Sequence, residues 1–323
     1  MTTRPTAPVA ASANGDAPPP TVADAARRVA APARAERLLG RLEWQVVRRL
    51  DGILQGNHRS ASRGIGVDVA DLREYTATDD VRHIDWNVTA RMDTPYVREF
   101  LEDREVTAWL VADRTASMTI GPPQRTKGDV LVDVTTVLAR MLTRSGNRVG
   151  AVVWDAAAPR VVPASGGRDH VLRITHELLR PSPEPTGATD LGAVLRLARD
   201  TIRRRSVVVV LSDFITEPGW EQVLGQLAER HDVVAVRFSD PAESVIPDVG
   251  LLAVEDAETG DQVLVDTSEA GFRRRYHAEV VAREQAILTG TRSAGVHLHD
   301  VSTADDLVDA LVALVATTAY RRR

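Results

Sequence analysis

The sequence predicts an α/β protein: a doubly wound, mostly parallel sheet with helices on both faces. Three observations predict it. From residue 105 onward, strand-length apolar runs alternate with helical stretches. Residues 207–211 are apolar at every position, as suits a strand covered on both faces. Two of the strands run into aspartates, Asp113 and Asp213, so both carboxylates emerge at the carboxyl edge, where open α/β sheets bind ligands.

Taken in order, residues 1–33 are rich in Ala, Pro and Thr and poor in large apolar side chains. They cannot bury enough surface to offset their ordering entropy, and are expected to form a disordered tail. Helical periodicity starts near Ala35, with Leu38, Leu39, Leu42, Val46, Val47 and Leu50 on one face and Gly52 as a stop. Glycines at 56, 64 and 66 then break regularity. A dense charged and aromatic stretch follows to residue 104, expected to be extended, with short strands, and to lie against the main domain. This helix and segment form one unit, 34–104. The α/β domain covers 105–318. Its strands are expected over 109–113, 148–154, 207–211, 233–238 and 296–301. Helices are expected over 130–142, 171–179, 191–202, 220–230, 268–293 and 304–316. A hairpin is expected from 251–254 and 262–265. Residues 319–323 read as a basic tail.

Composition narrows the function. The 323 residues are 43% hydrophobic, enough to fill a core, and the net charge of -5 exerts no long-range pull on nucleic acid. The short arginine runs at 203–205, 273–275 and 321–323 read as solvated helix or chain ends. There is no cysteine, which excludes disulfides, thiolate zinc sites and thiol nucleophiles. No apolar run approaches the ~20 residues that span a bilayer. The N-terminus lacks the order of a secretory signal. A cytoplasmic location and no membrane span are expected.

The chemistry-bearing residues gather at one edge. After the first strand the chain reads Asp113, Thr115, Ser117 at alternate positions, which points three oxygens to one side. A second piece, Gly187-Ala188-Thr189-Asp190, opens a helix at the same edge, and Ser212-Asp213 ends the central strand. Carboxylates and hydroxyls without His or Cys make a hard-oxygen set, suited to Mg2+ (or Mn2+) rather than zinc or copper. Asp113, Thr115, Ser117, Thr189 and Asp213 are the candidate ligands. Two carboxylates and three hydroxyls leave open positions on an octahedral ion, where a partner's carboxylate could bind. The alternative is that the same residues are strand-end and helix caps.

Residues 105–318 resemble a von Willebrand factor A domain, whose metal-ion-dependent adhesion site uses Asp-x-Ser-x-Ser, a later Thr and a later Asp. Thr115 stands where that pattern usually has Ser. Upstream, Arg73-Glu74-Tyr75, Asp79-Asp80, Arg82, Ile84-Asp85-Trp86, Ala90-Arg91 and Tyr96-Val97-Arg98-Glu99-Phe100 resemble the signature of the DUF58 family, and the resemblance covers residues 35–318. Ala77-Thr78 and Asn147 depart from that family's usual Pro-Gly and Asp. The resemblance implies a partner, a MoxR-type AAA+ ATPase, and a chaperone-like role in assembling or maturing a protein complex. This chain has no Gly-x-x-x-x-Gly-Lys-Ser/Thr loop, so ATP hydrolysis would come from elsewhere.

The remaining candidates have plainer readings. Arg82, Arg91 and Arg98, with Tyr75, Trp86, Tyr96 and Phe100, suit a partly buried ion-pair network that staples the segment to the sheet, or else a docking surface. Lys127 reads as a surface lysine at a helix start. His297 and His299 share a strand face but lack a third soft ligand. Three functions are weighed: a non-enzymatic metal-dependent adaptor binding an acidic residue of a protein partner, a structural scaffold with a vestigial ion site, and a metal-dependent hydrolase using Asp155 or Asp190 as base.

Overall fold

Alternation along the strands places side chains on both faces of one sheet. A computed structural model of the protein describes residues 33–43, 69–76, 79–92, 94–100, 106–122, 124–155, 159–180, 190–255 and 262–320. The expected tail up to residue 32, the continuation of the first helix to Gly52, and residues 321–323 lie outside these. The main sheet has six strands: β3 (Thr107–Asp113), β4 (Arg148–Trp154), β5 (Arg160–Ser165), β6 (Val207–Ser212), β7 (Asp232–Ser239) and β10 (His297–Ser302), in the order β10-β7-β6-β3-β4-β5. All neighbours pair in parallel except β5, which runs antiparallel to β4. This edge strand is short, and the Pro163 within it is tolerated where no further strand needs the amide. That is why periodicity did not signal it.

Two cores result. Ala108, Leu110, Ala112, Val149, Ala151, Val153, Val209 and Leu211 face one way, onto α3 (Lys127–Arg144), α4 (Arg168–Leu179) and α8 (Leu307–Tyr320). Trp109, Val111, Val152, Val208 and Val210 face the other, onto α5 (Leu191–Thr201), α6 (Trp220–Arg230) and α7 (Ala270–Ser293). The doubly wound α/β architecture is thus present, and α8 reaches Tyr320, past the expected end of its helix. The register sets Trp109 beside Gly150, where a Cβ would come within 2.6 Å of the indole. Gly150 is therefore the space that lets Trp109 lie flat on the sheet.

The first helix, α1 over residues 33–42, is a working part of this core. Leu39 and Leu42 are buried in the first cluster, and three ion pairs pin the segment: Glu36 to Arg168 at 2.7 Å, Arg41 to Asp133 at 3.0 Å, and Glu43 to Arg140.

The segment before the domain has more order than its composition suggests. β1 (Val69–Glu74) pairs antiparallel with β2 (Tyr96–Phe100), and a short helix, α2 (Trp86–Met92), lies between them. The stapling arginines are not seen in that role. Arg82 and Arg91 are exposed and enter no ion pair among the described residues, while the side chain of Arg98 lies outside them. Several of the acids cap the segment's own turns. Asp79 accepts from Thr76, Asp80 from the Arg82 amide, and Asp85 from the Asn87 and Val88 amides. Trp86, expected among the anchors, is 69% exposed. A second hairpin, β8 (Leu251–Glu255) and β9 (Gln262–Asp266), lies where expected.

Candidate metal centre

Parallel pairing of β3 and β6 delivers Asp113 and Asp213 to one edge, as the strand directions require. Both are buried, as are Thr115 and Ser117. A 3₁₀ turn, Ala116–Thr119, folds the alternate residues back toward Asp113. Thr115 donates to Asp113 Oδ1 through its amide at 3.0 Å and its hydroxyl at 2.7 Å. The Thr115 Oγ1 to Ser117 Oγ distance is 3.3 Å. Metal–oxygen bonds of 2.0–2.1 Å put adjacent oxygens of an octahedral ion about 2.9 Å apart. The two spacings from Thr115 Oγ1, to Asp113 Oδ1 and to Ser117 Oγ, lie near that edge length, and a carboxylate with two hydroxyls is a donor set suited to a hard divalent ion. The hydroxyl of Thr115 points into the site, so its extra methyl does not turn it away.

Charge is concentrated here. Burial, and then the neighbouring Asp213 charge, push the Asp113 carboxyl up to about 6, against the hydrogen bonds from Ser212 and Thr115. Ser212 Oγ donates to Asp113 Oδ2 at 2.7 Å, a contact between neighbouring strand ends. Phe214 follows in the left-handed region, φ 59°, which is uncommon for a bulky residue. It is held by burial, by its amide bond to Ser212 Oγ at 2.9 Å, and by edge packing on Trp220 at 5.1 Å. The resulting sharp turn aims the Ile215 amide at Asp213 Oδ1, 3.0 Å away.

Lys127 corrects the surface reading. It is fully buried, and its Nζ donates to Asp213 Oδ2 at 2.8 Å and to Glu243 Oε1 at 2.6 Å. Burial opposes the ammonium charge, but Asp213 and Glu243 outweigh it and raise its pKa. A helix-start position gave no hint of this, because Glu243 is distant in sequence. Both oxygens of Asp213 are thus engaged.

Thr189 lies outside the described residues. Thr216 Oγ1 accepts from the Leu191 amide at 2.9 Å, which holds the start of α5 to the turn after Asp213. Asp190 caps α5 through the Ala193 amide at 2.8 Å and pairs with Arg196 at 3.0 Å. Asp155 pairs with Arg160. His297 and His299 stack with centroids 4.4 Å apart, and no cluster of three or more His, Cys, Asp or Glu suited to a metal occurs among the described residues. Nor is any described helix long and apolar enough to cross a membrane.

Comparison with known proteins gives the following. The family described as protein of unknown function DUF58 matches residues 71–286. Uncharacterized proteins of Mycobacterium bovis and Mycobacterium tuberculosis are each 35% identical over 284 residues, 87% of this chain and 88% of theirs. Among solved structures, the conserved hypothetical protein BatB from Bacteroides thetaiotaomicron is 15% identical, with 67% of this chain and 99% of that one covered and a TM-score of 0.44. The SpRpn10 VWA domain is 12% identical, with coverage of 64% and 93% and a TM-score of 0.35.

Proposed function

We propose, from the premise that the chain belongs to the DUF58 family, that it is a non-enzymatic, metal-dependent protein-binding adaptor. Asp113, Thr115 and Ser117 would hold Mg2+ (or Mn2+), with Thr189 and Asp213 contributing from the neighbouring turns. A protein partner would offer an acidic residue to an open position on the ion. The resemblance to the family suggests a MoxR-type AAA+ ATPase as that partner, in chaperone-like assembly or maturation of a protein complex. One observation carries the reading: a buried carboxylate and two buried hydroxyls, with Thr115 Oγ1 at 2.7 Å from Asp113 Oδ1 and 3.3 Å from Ser117 Oγ, on the carboxyl edge of the sheet. A hydrolase reading is weaker, because Asp155 and Asp190 are engaged by Arg160 and Arg196. The test is a pull-down with the cognate ATPase. Recovery should need magnesium and fall in EDTA and in Asp113→Ala. Equal recovery in all arms would rule out the ion bridge.

A second reading, a scaffold with a vestigial ion site, is favoured by Lys127. Its ammonium already supplies a positive charge to Asp213. Calorimetry separates the two: millimolar magnesium should give a binding isotherm for the adaptor and none for the scaffold.

A further inference from the structure

Lys127 joins three pieces of the carboxyl edge. Its amide donates to the Ile120 carbonyl at 3.0 Å, which ties the loop of Asp113, Thr115 and Ser117 to the start of α3. Its ammonium reaches the turn after β6 through Asp213 Oδ2 at 2.8 Å, and the turn after β7 through Glu243 Oε1 at 2.6 Å. The side chain is fully buried, so bulk water does not screen its charge. A charged lysine has three donors and no lone pair, so it is held by acceptors and does not itself ligate an ion.

The two carboxylates that hold it differ. Asp213 is a candidate ligand, and its other oxygen accepts from the Ile215 amide at 3.0 Å. Glu243 is fixed by its own turn. Its Oε2 accepts from the Asp240 amide at 3.2 Å, and its carbonyl accepts from the Tyr276 hydroxyl of α7 at 2.7 Å. The buried Asp240 carboxylate accepts in turn from the Ala242 amide at 2.8 Å and from the Thr303 hydroxyl. Arg114 is a second cation near Asp113, and its Nη1 donates to the Gly128 carbonyl at 3.2 Å. Lys127 is thus bonded at once to a candidate ligand and to a carboxylate whose position is held independently of that ligand.

We infer that Lys127 sets the affinity of the ion site: its ammonium competes with a divalent cation for Asp213, and Glu243 retains the ammonium when the cation takes Asp213. The inference rests on the ion site of the adaptor reading. The signs follow from Coulomb's law, since an ammonium and a divalent cation repel each other at close range in a buried site. Without the ammonium, Asp213 and Glu243 both attract the ion. Without the Glu243 charge, the ammonium rests on Asp213 alone, and the ion must displace it there. Removing Lys127 therefore tightens binding and neutralising Glu243 weakens it, although the two are partners in one pair. A purely structural role gives both variants the same sign, because each loosens the same turns.

The test is a Mn2+ titration of the full chain, stripped with EDTA and then freed of the chelator. Free Mn2+ is followed by its electron paramagnetic resonance signal, and binding that persists in Asp113→Ala is subtracted as surface background. Lys127→Met should bind Mn2+ about tenfold more tightly than wild type, and Glu243→Gln about threefold or more weakly. Losing the buried lysine destabilises the fold, so a second arm combines Lys127→Met with Glu243→Gln, which removes one charge of each sign. That double variant should bind about tenfold more tightly than Glu243→Gln alone. Melting curves identify the variants that are folded at the temperature of the titration. Unchanged binding in both single variants, weakening in both, or a double variant no tighter than Glu243→Gln would overturn the inference while leaving the adaptor reading in place. Binding by Lys127→Met with none by wild type would support the inference and overturn the adaptor reading. Binding by none of the proteins would overturn both.

Discussion

Lys127 bears a full charge with no exposure to water, and its two carboxylate partners make that tolerable. Removing one member of such a set leaves the others buried and uncompensated. Lys127→Met should therefore lower unfolding stability by about 3 kcal/mol, read from urea denaturation. His231 is the opposite case. It is buried at the end of α6, with neither ring nitrogen bonded to a protein group. Burial, and then Arg230, lower its pKa. The unfolded chain therefore binds a proton that the folded chain refuses, so its contribution is intact above the unfolded value of about 6.5 and is lost as pH falls below it. Asp113, raised, acts in the opposite sense over part of the same range, so the test is the difference: between pH 7.5 and 5.5 the melting temperature of wild type should fall relative to that of His231→Leu.

At the level of elements, α1 joins a domain that begins more than sixty residues later in the chain. Its apolar stripe is buried on α3 and α4, and its ion pairs with Arg140 and Arg168 set its orientation. Leu39 is fully buried, so Leu39→Ala should cost about 2–5 kcal/mol, as core truncations do. A weaker effect in chemical denaturation would mean that α1 is a detachable arm. The same helix carries Arg34 and Arg37 exposed on another face. The signature segment behaves differently. Its acids fold its own turns, and Trp86, Met92 and Val81 stay exposed.

Across the molecule, the candidate ion site is tied to the start of α3 through Lys127 and Asp213. A ligand that binds only the folded form stabilises it by RT ln(1 + [L]/Kd). Magnesium at tenfold above its Kd should add about 1.4 kcal/mol to EDTA-treated protein, and Asp113→Ala should abolish the gain. The α/β class, the strand order's parallel core and the convergence of Asp113 with Asp213 were legible in the chain itself, because alternation and strand direction are local properties that repeat over many residues. So was the Thr115 and Ser117 spacing. The edge strand β5 was hidden because a short, half-exposed strand interrupted by Pro163 has no apolar period to read. Ser212 was visible as a motif letter but not as a partner of Asp113. Lys127 was the clearest reversal. A lysine two residues past an arginine looks like surface until Glu243, over a hundred positions away, is folded against it. Periodicity reports which face a residue takes. Pairing between distant charges depends on how helices and loops close over the sheet edge, and only the assembled fold contains that distance.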